Sequence, residues 1–181
     1  MRPSRAAAGA AVVLFTLISG CTGPEPVPVP RTADAPWLCS GVPLESIELA
    51  LGGAELDDGG GQGALGWRDE QFTCSAEADE SSIIVSQEPV LSSPFGSTED
   101  DVVATLQESS AAQRIDADAP GRGYLTRVDD PVAVWVCTDF VTRVSFTGTE
   151  PDGRTWSEDA VNLLVSMLPW ACGEEPPPPT D

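Results

Sequence analysis

The chain has 181 residues with nine basic and 29 acidic side chains, and it contains neither lysine nor histidine. A formal net charge of −20 excludes nucleic acid as a partner, because phosphate backbones are bound by cationic surfaces that release counterions. Without histidine there is no Ser-His-Asp or Cys-His activation and no histidine metal site, and without lysine no Schiff base.

The first segment joins a basic start, Arg2 and Arg5, to an uncharged apolar run from Ala6 to Ile18, closed by Ser19, Gly20 and Cys21. The run is shorter than the roughly 20 residues that cross a bilayer. Its layout resembles a bacterial lipoprotein signal peptide, which implies removal of residues 1–20 and lipidation of Cys21 through a thioether. The location expected from this is the extracytoplasmic face of the cell membrane, with the lipid as anchor. Loss of Arg2 and Arg5 leaves seven arginines against 29 acids, a net charge of −22. Anionic headgroups repel such a domain, so attachment must come from the lipid. Residues 21–35, with prolines at 24, 26, 28 and 30, read as a tether reaching about 40 Å in polyproline geometry. A single domain is expected over 36–173, followed by a disordered proline-rich tail over 174–181.

Within that domain a first helix fits Pro43 to Leu51, with Pro43 at its start, Leu44, Ile47 and Leu51 on one face, and Gly52-Gly53 as the stop. Leu56 to Gly66 reads as a Gly- and Asp-rich loop. Strands are expected at Gln71–Glu77 and Ser82–Glu88. Ser97 is the expected N-cap of a second helix, with Glu99 and Asp100 complementing its positive end and Val102, Val103 and Leu106 forming its buried stripe. Gly121–Arg127 is a short strand candidate. Pro131–Cys137 is apolar on both parities and predicts a central strand covered on both faces. Trp135 inside it is expected in the core, and Val141–Thr147 is the expected antiparallel partner. Glu150-Pro151-Asp152-Gly153 is a turn, Thr155 with Glu158 resembles a capping box, and a last helix from Trp156 to Leu168 should end at Pro169. The order predicts an α+β fold: an antiparallel sheet of about five strands packed with about three helices.

Four cysteines follow Cys21: Cys39, Cys74, Cys137 and Cys172. An even number on the oxidising side of a membrane predicts disulfides, and no C-x-x-C pair or histidine supports a metal site. Three connectivities are open to four cysteines.

The remaining motifs carry little chemistry. Gly61-Gln62-Gly63-Ala64-Leu65-Gly66 spells a dinucleotide-binding string but lacks the flanking strand and helix, so no cofactor is expected. Asp116 to Gly121 begins like a calcium loop, then places Pro120 at position five and Arg127 at position twelve. Carboxylate-pair chemistry is the one enzymatic route left, with Asp57, Glu70, Glu77 and Asp139 as dispersed candidates.

The outline of Cys21, a proline-rich spacer, Cys39 before a helix ending in Leu51-Gly52, and Cys74 in the next strand resembles an actinobacterial lipoprotein family known only as a domain of unknown function. The resemblance implies an anchored extracytoplasmic domain without a known activity, and a Cys39–Cys74 disulfide, which leaves Cys137–Cys172. The functional expectation is a binding or interaction module at the cell envelope, not an enzyme, whose partner is an envelope protein or a small ligand. Trp37 and Trp67, outside the strongest elements, are its expected binding residues. The alternatives are a small-ligand carrier or accessory subunit of an envelope transport system, then a carboxylate-dependent envelope hydrolase.

Overall fold

The computed structural model describes residues 26–57, 66–68, 71–109, 112–127 and 130–179. Cys21, the signal segment, Glu70 and residues 61–65 of the glycine string lie outside them. A two-stranded ribbon, β1 (Trp37–Cys39) and β2 (Val42–Pro43), leads into α1 (Leu44–Ala50). Strands β3 (Phe72–Ala78) and β4 (Ser81–Pro89) precede α2 (Glu99–Glu108). Strands β5 (Gln113–Ile115), β6 (Arg122–Arg127), β7 (Pro131–Cys137) and β8 (Phe140–Gly148) then lead to α3 (Trp156–Ala171).

The fold is α+β, with one antiparallel six-stranded sheet in the order β3-β4-β8-β7-β6-β5. It has one strand more than expected. The addition is β5, whose Gln113 and Arg114 are exposed and give no apolar alternation to read.

Strand β7 sits inside the sheet and is covered on both sides, as its two apolar parities require. Ala133, Trp135 and Cys137 join the main core under α1 and α3, whereas Val134 and Val136 face Val102, Val103 and Leu106 of α2. Trp135 is buried, and its indole N–H donates to the Pro120 carbonyl at 2.8 Å. The calcium-like loop is thus a structural turn over that indole. Gly121, at φ +105°, is required there because a Cβ would lie 2.2 Å from the Val136 carbonyl oxygen.

Helix ends depart from expectation in four places, the first being Pro43, which closes β2 and is the N-cap of α1 instead of its first helical residue. The α2 N-cap is Thr98, whose Oγ1 accepts the Asp101 N–H at 3.2 Å; Ser97 lies one residue outside. At α3 the Thr155 side chain makes no capping bond, and Glu150 Oε2 instead accepts the Trp156 N–H at 2.7 Å. Helix α3 also passes through Pro169 to Ala171. The proline ring forfeits one i→i−4 bond, but packing of Trp170 and Ala171 into the core continues the turn.

The largest departures are the two proline segments. Val29, inside the expected tether, is 1% exposed and belongs to the main core. Proline restricts the unfolded chain, so ordering this strap costs less entropy than ordering an ordinary segment. Burial of one valine, worth roughly 1.5–3 kcal/mol, therefore weighs heavily in holding it. The tail also folds back onto the domain: Ser40 Oγ donates to the Pro178 carbonyl at 2.6 Å.

Candidate binding site

Both disulfides converge on the region around the C-terminal end of α3. Cys39–Cys74 ties the β1–β2 ribbon to β3 with Cα atoms 6.1 Å apart, and Cys137–Cys172 ties β7 to the end of α3 at 5.6 Å. Each closes a separation of 35 residues, for which loop-closure entropy in the unfolded chain gives roughly 3–4 kcal/mol.

Between them lies a buried polar hub at Gln87. It stands on the apolar parity of β4 after Ile83 and Val85, and is 2% exposed. Its amide donates to Thr142 Oγ1 and the Ala171 carbonyl, both at 2.9 Å, while its Oε1 accepts the Arg68 N–H at 2.7 Å. Arg68 adopts φ +63°, an uncommon conformation for a side-chain-bearing residue. Its guanidinium donates to the Trp170 and Gly173 carbonyls and, at 3.4 Å, to that of Glu175. Helix α3 has no basic residue in its last turn, so Arg68 supplies the positive charge its terminal carbonyls favour. Gln87 and Arg68 were not singled out in sequence. A lone glutamine on an apolar strand parity was the readable signal for the first; nothing local marked the second.

The expected tryptophans part company. Trp37 on β1 is half-buried and stands edge-on to Trp170, with ring centroids 5.8 Å apart at 82°. Trp67, expected to be exposed, is 5% exposed: its ring stacks on Phe72 at 4.1 Å and its N–H donates to the Ser40 carbonyl. Phe72, at the start of β3, offers an apolar face that a tryptophan in a polar loop does not reveal by pattern. Trp67 is core, and Trp37 remains as the surface candidate.

Trp170 completes the surface. It is 5% exposed, and its Nε1–H is the one buried side-chain N or O without a hydrogen-bond partner among the described residues. The indole edge faces Gly41, at φ +71° in the β1–β2 turn; a Cβ there would lie 2.6 Å from Nε1 and 3.1 Å from Pro178 Cδ. Ribbon, indole and tail thus meet at one point. Beside them a crevice of about 370 Å³ runs between Ala117, Ala119 and Pro120 on one wall and Leu168, Pro169 and Glu175 on the other.

The opposite end of α3 is a buried clamp. Arg154 donates from the Nε and Nη2 of one guanidinium edge to the two carboxylate oxygens of Asp159, side chains 6% and 5% exposed, and Arg154 Nη1 also donates to the Val27 carbonyl. Burial holds the Asp159 carboxyl above its ordinary range; hydrogen bonding and charge from Arg154 oppose that shift.

Of the expected acids among the described residues, Asp57 and Glu77 meet through their backbones, and Asp139 lies at the other end of the sheet. Glu77 lies beside the Ser82–Thr147 end of the sheet, and Asp139 follows β7 at the Pro89–Phe140 end. The Asp57 N–H bonds the Glu77 carbonyl, a backbone contact. No three His, Cys, Asp or Glu side chains cluster as metal ligands among the described residues.

No family model, curated protein or solved structure matches the chain. The site therefore rests on its own geometry: a half-buried Trp37 set against a buried Trp170 on a disulfide-braced surface, partly covered by the chain's own tail.

Proposed function

We propose that this protein is a membrane-anchored extracytoplasmic lipoprotein that acts as a binding module at the cell envelope. The observation that carries the binding assignment is the Trp37–Trp170 pair, held at the C-terminal end of α3 by a ribbon that Cys39–Cys74 fixes to the sheet. Tryptophan gives large contact area at small entropic cost, and a braced backbone limits the ordering a partner must impose.

The lipid anchor on Cys21 rests on the signal-like layout of residues 1–21 and on resemblance to the actinobacterial lipoprotein outline. The strap supports an orientation. It is seated from Pro26 onward against Gly153 and Arg154, at the N-terminal end of α3. Covalent geometry limits the distance from Cys21 to Pro26 to about 18 Å. The sixteen residues of α3 then separate that pole from the tryptophan pole by about 24 Å. A lipid on Cys21 thus holds the clamp pole toward the membrane and presents Trp37 to the envelope space.

The small-ligand alternative has one specific support, the crevice beside Pro169. Its volume lies near the lower bound of typical ligand sites, and Glu174 and Glu175 at its rim favour an uncharged or cationic occupant.

Two variants test the main reading. Cys21→Ser should release the protein from membranes or leave the signal uncleaved; mature protein still fractionating with membranes rules out the anchor. Trp37→Ala should reduce partner cross-linking in native membranes while shifting the melting temperature by no more than a few degrees. Unchanged cross-linking removes Trp37 from the site.

A further inference from the structure

The end of the chain reads as a ligand seated on its own domain. In Glu175-Pro176-Pro177-Pro178, each residue is itself followed by proline, which disfavours α conformations and favours an extended polyproline backbone. Such a backbone has no internal hydrogen bonds, so its carbonyls are offered outward. Two are taken here by the domain: Pro178 by the Ser40 hydroxyl at 2.6 Å, and Glu175 by Arg68 at 3.4 Å. The Glu175 N–H in turn donates to the Pro169 carbonyl at 3.2 Å. Pro178 also packs at the Gly41 cradle, where the absent side chain lets proline, glycine and indole edge approach one another.

Aromatic edges, an indole donor and hydroxyl donors beside an extended proline segment are the chemistry by which polyproline helices are bound. One part of that chemistry is unused. Trp170 Nε1–H points at this junction, nine-tenths buried and without an acceptor. The tail prolines, exposed except for the partly buried Pro178, bring no side chain into the core, so little besides these few bonds and the Pro178 packing resists their departure.

We infer that Ser40, Gly41 and Trp170 form a recognition site for an extended proline-rich segment of another polypeptide, and that the chain's own tail is its resident, competing occupant. This rests on the binding reading above and names the class of partner. A segment that places a carbonyl opposite Trp170 Nε1 satisfies the donor that the tail leaves unpaired, and so displaces the tail. Until then the tail acts at an effective concentration in the millimolar range and lowers apparent affinity for outside segments by about tenfold or more.

The probe is a fluorescent peptide of residues 174–181, Glu-Glu-Pro-Pro-Pro-Pro-Thr-Asp, titrated against the full chain in detergent. A full-length variant with Pro176→Ser, Pro177→Ser, Pro178→Ser and Pro179→Ser weakens the resident tail. It should bind the peptide about tenfold more tightly than the unaltered chain. Gly41→Ala on that background should abolish the gain, because its methyl fills the cradle. A peptide with serine at the four proline positions should not bind. The inference is overturned if the variant melts as the unaltered chain does yet binds no peptide, or binds both peptides equally. Sedimentation that shows an unaltered dimer lost on serine substitution overturns it too, since the site then takes a second copy's tail. If the serine variant does not fold, Pro178→Ser alone takes its place, since it weakens the tail and leaves Ser40, Gly41 and Trp170 intact, with peptide binding expected and its absence decisive. Partner cross-linking through Trp37 can survive any of these failures, so loss of this inference and loss of the binding reading are distinguishable.

Discussion

The chain has two proline-rich segments, one interleaved with valine and one preceded by glutamate, and they are held in different ways. The strap at Pro26–Pro30 puts Val29 into the core and lays its backbone on a buried ion pair. The tail at Glu174–Pro179 contributes no buried apolar side chain and is held by hydrogen bonds from Ser40 and Arg68 at the surface. Proline content makes both segments stiff and extended. One valine facing inward decides that the first is part of the fold, and its absence leaves the second exchangeable.

The comparison breaks most sharply at the strap's clamp. Arg154→Met should cost about 3–5 kcal/mol at neutral pH, because it leaves the Asp159 carboxylate buried without its partner. Burial already raises the Asp159 pKa above 3.8, and removal of Arg154 raises it further. The folded chain then holds this proton to higher pH than the unfolded chain. Between 3.8 and the raised value the native state binds more protons, and this site's contribution to stability falls as pH rises. Urea unfolding of the variant against the unaltered chain should therefore show a deficit that narrows as pH is lowered toward 4. A deficit that widens on acidification would mean that Asp159 is held ionised.

Val29→Ala tests whether the strap is core. Loss of two buried methyl groups and the cavity they leave should cost about 2 kcal/mol. The matched exposed control is Val27→Ala, at a position 64% exposed, with an expected change within about 0.5 kcal/mol. Equal effects at the two valines would return the strap to a simple tether.

Most of the fold was legible because periodicity reports burial directly. The double apolar parity of Pro131–Cys137 marked a strand covered on both faces, and Val102, Val103 and Leu106 marked the stripe that covers it. The 35-residue separations of Cys39 from Cys74 and of Cys137 from Cys172 were visible, but their pairing depends on ribbon and sheet geometry that no spacing encodes. What escaped was held by distant, single contacts. Val29 reads as a spacer residue until Arg154, far along the chain, is seen to bond the Val27 carbonyl two residues before it. Trp67 reads as exposed until Phe72 stacks on it. Trp37 could be named from the sequence as a surface residue, whereas the meeting of Gly41, Trp170 and the tail comes only through tertiary contact.

A smaller effect than at Val29 is expected at the tail. Serine at positions 176–179 removes stiffness and the Pro178 packing at Gly41, but takes nothing out of the hydrophobic core. The loss of preorganisation at exposed positions should change stability by no more than about 1 kcal/mol, a shift of a few degrees in melting temperature. That is less than the single Val29→Ala change at the strap, although four residues are altered. Tryptophan emission should respond more than stability does, because Trp170 beside Gly41 gains access to water when Pro178 departs. A red shift with a nearly unchanged melting temperature is the expected pair of results. A melting temperature lowered more than by Val29→Ala would make the tail a part of the fold equal to the strap, and the contrast between the two segments would fall.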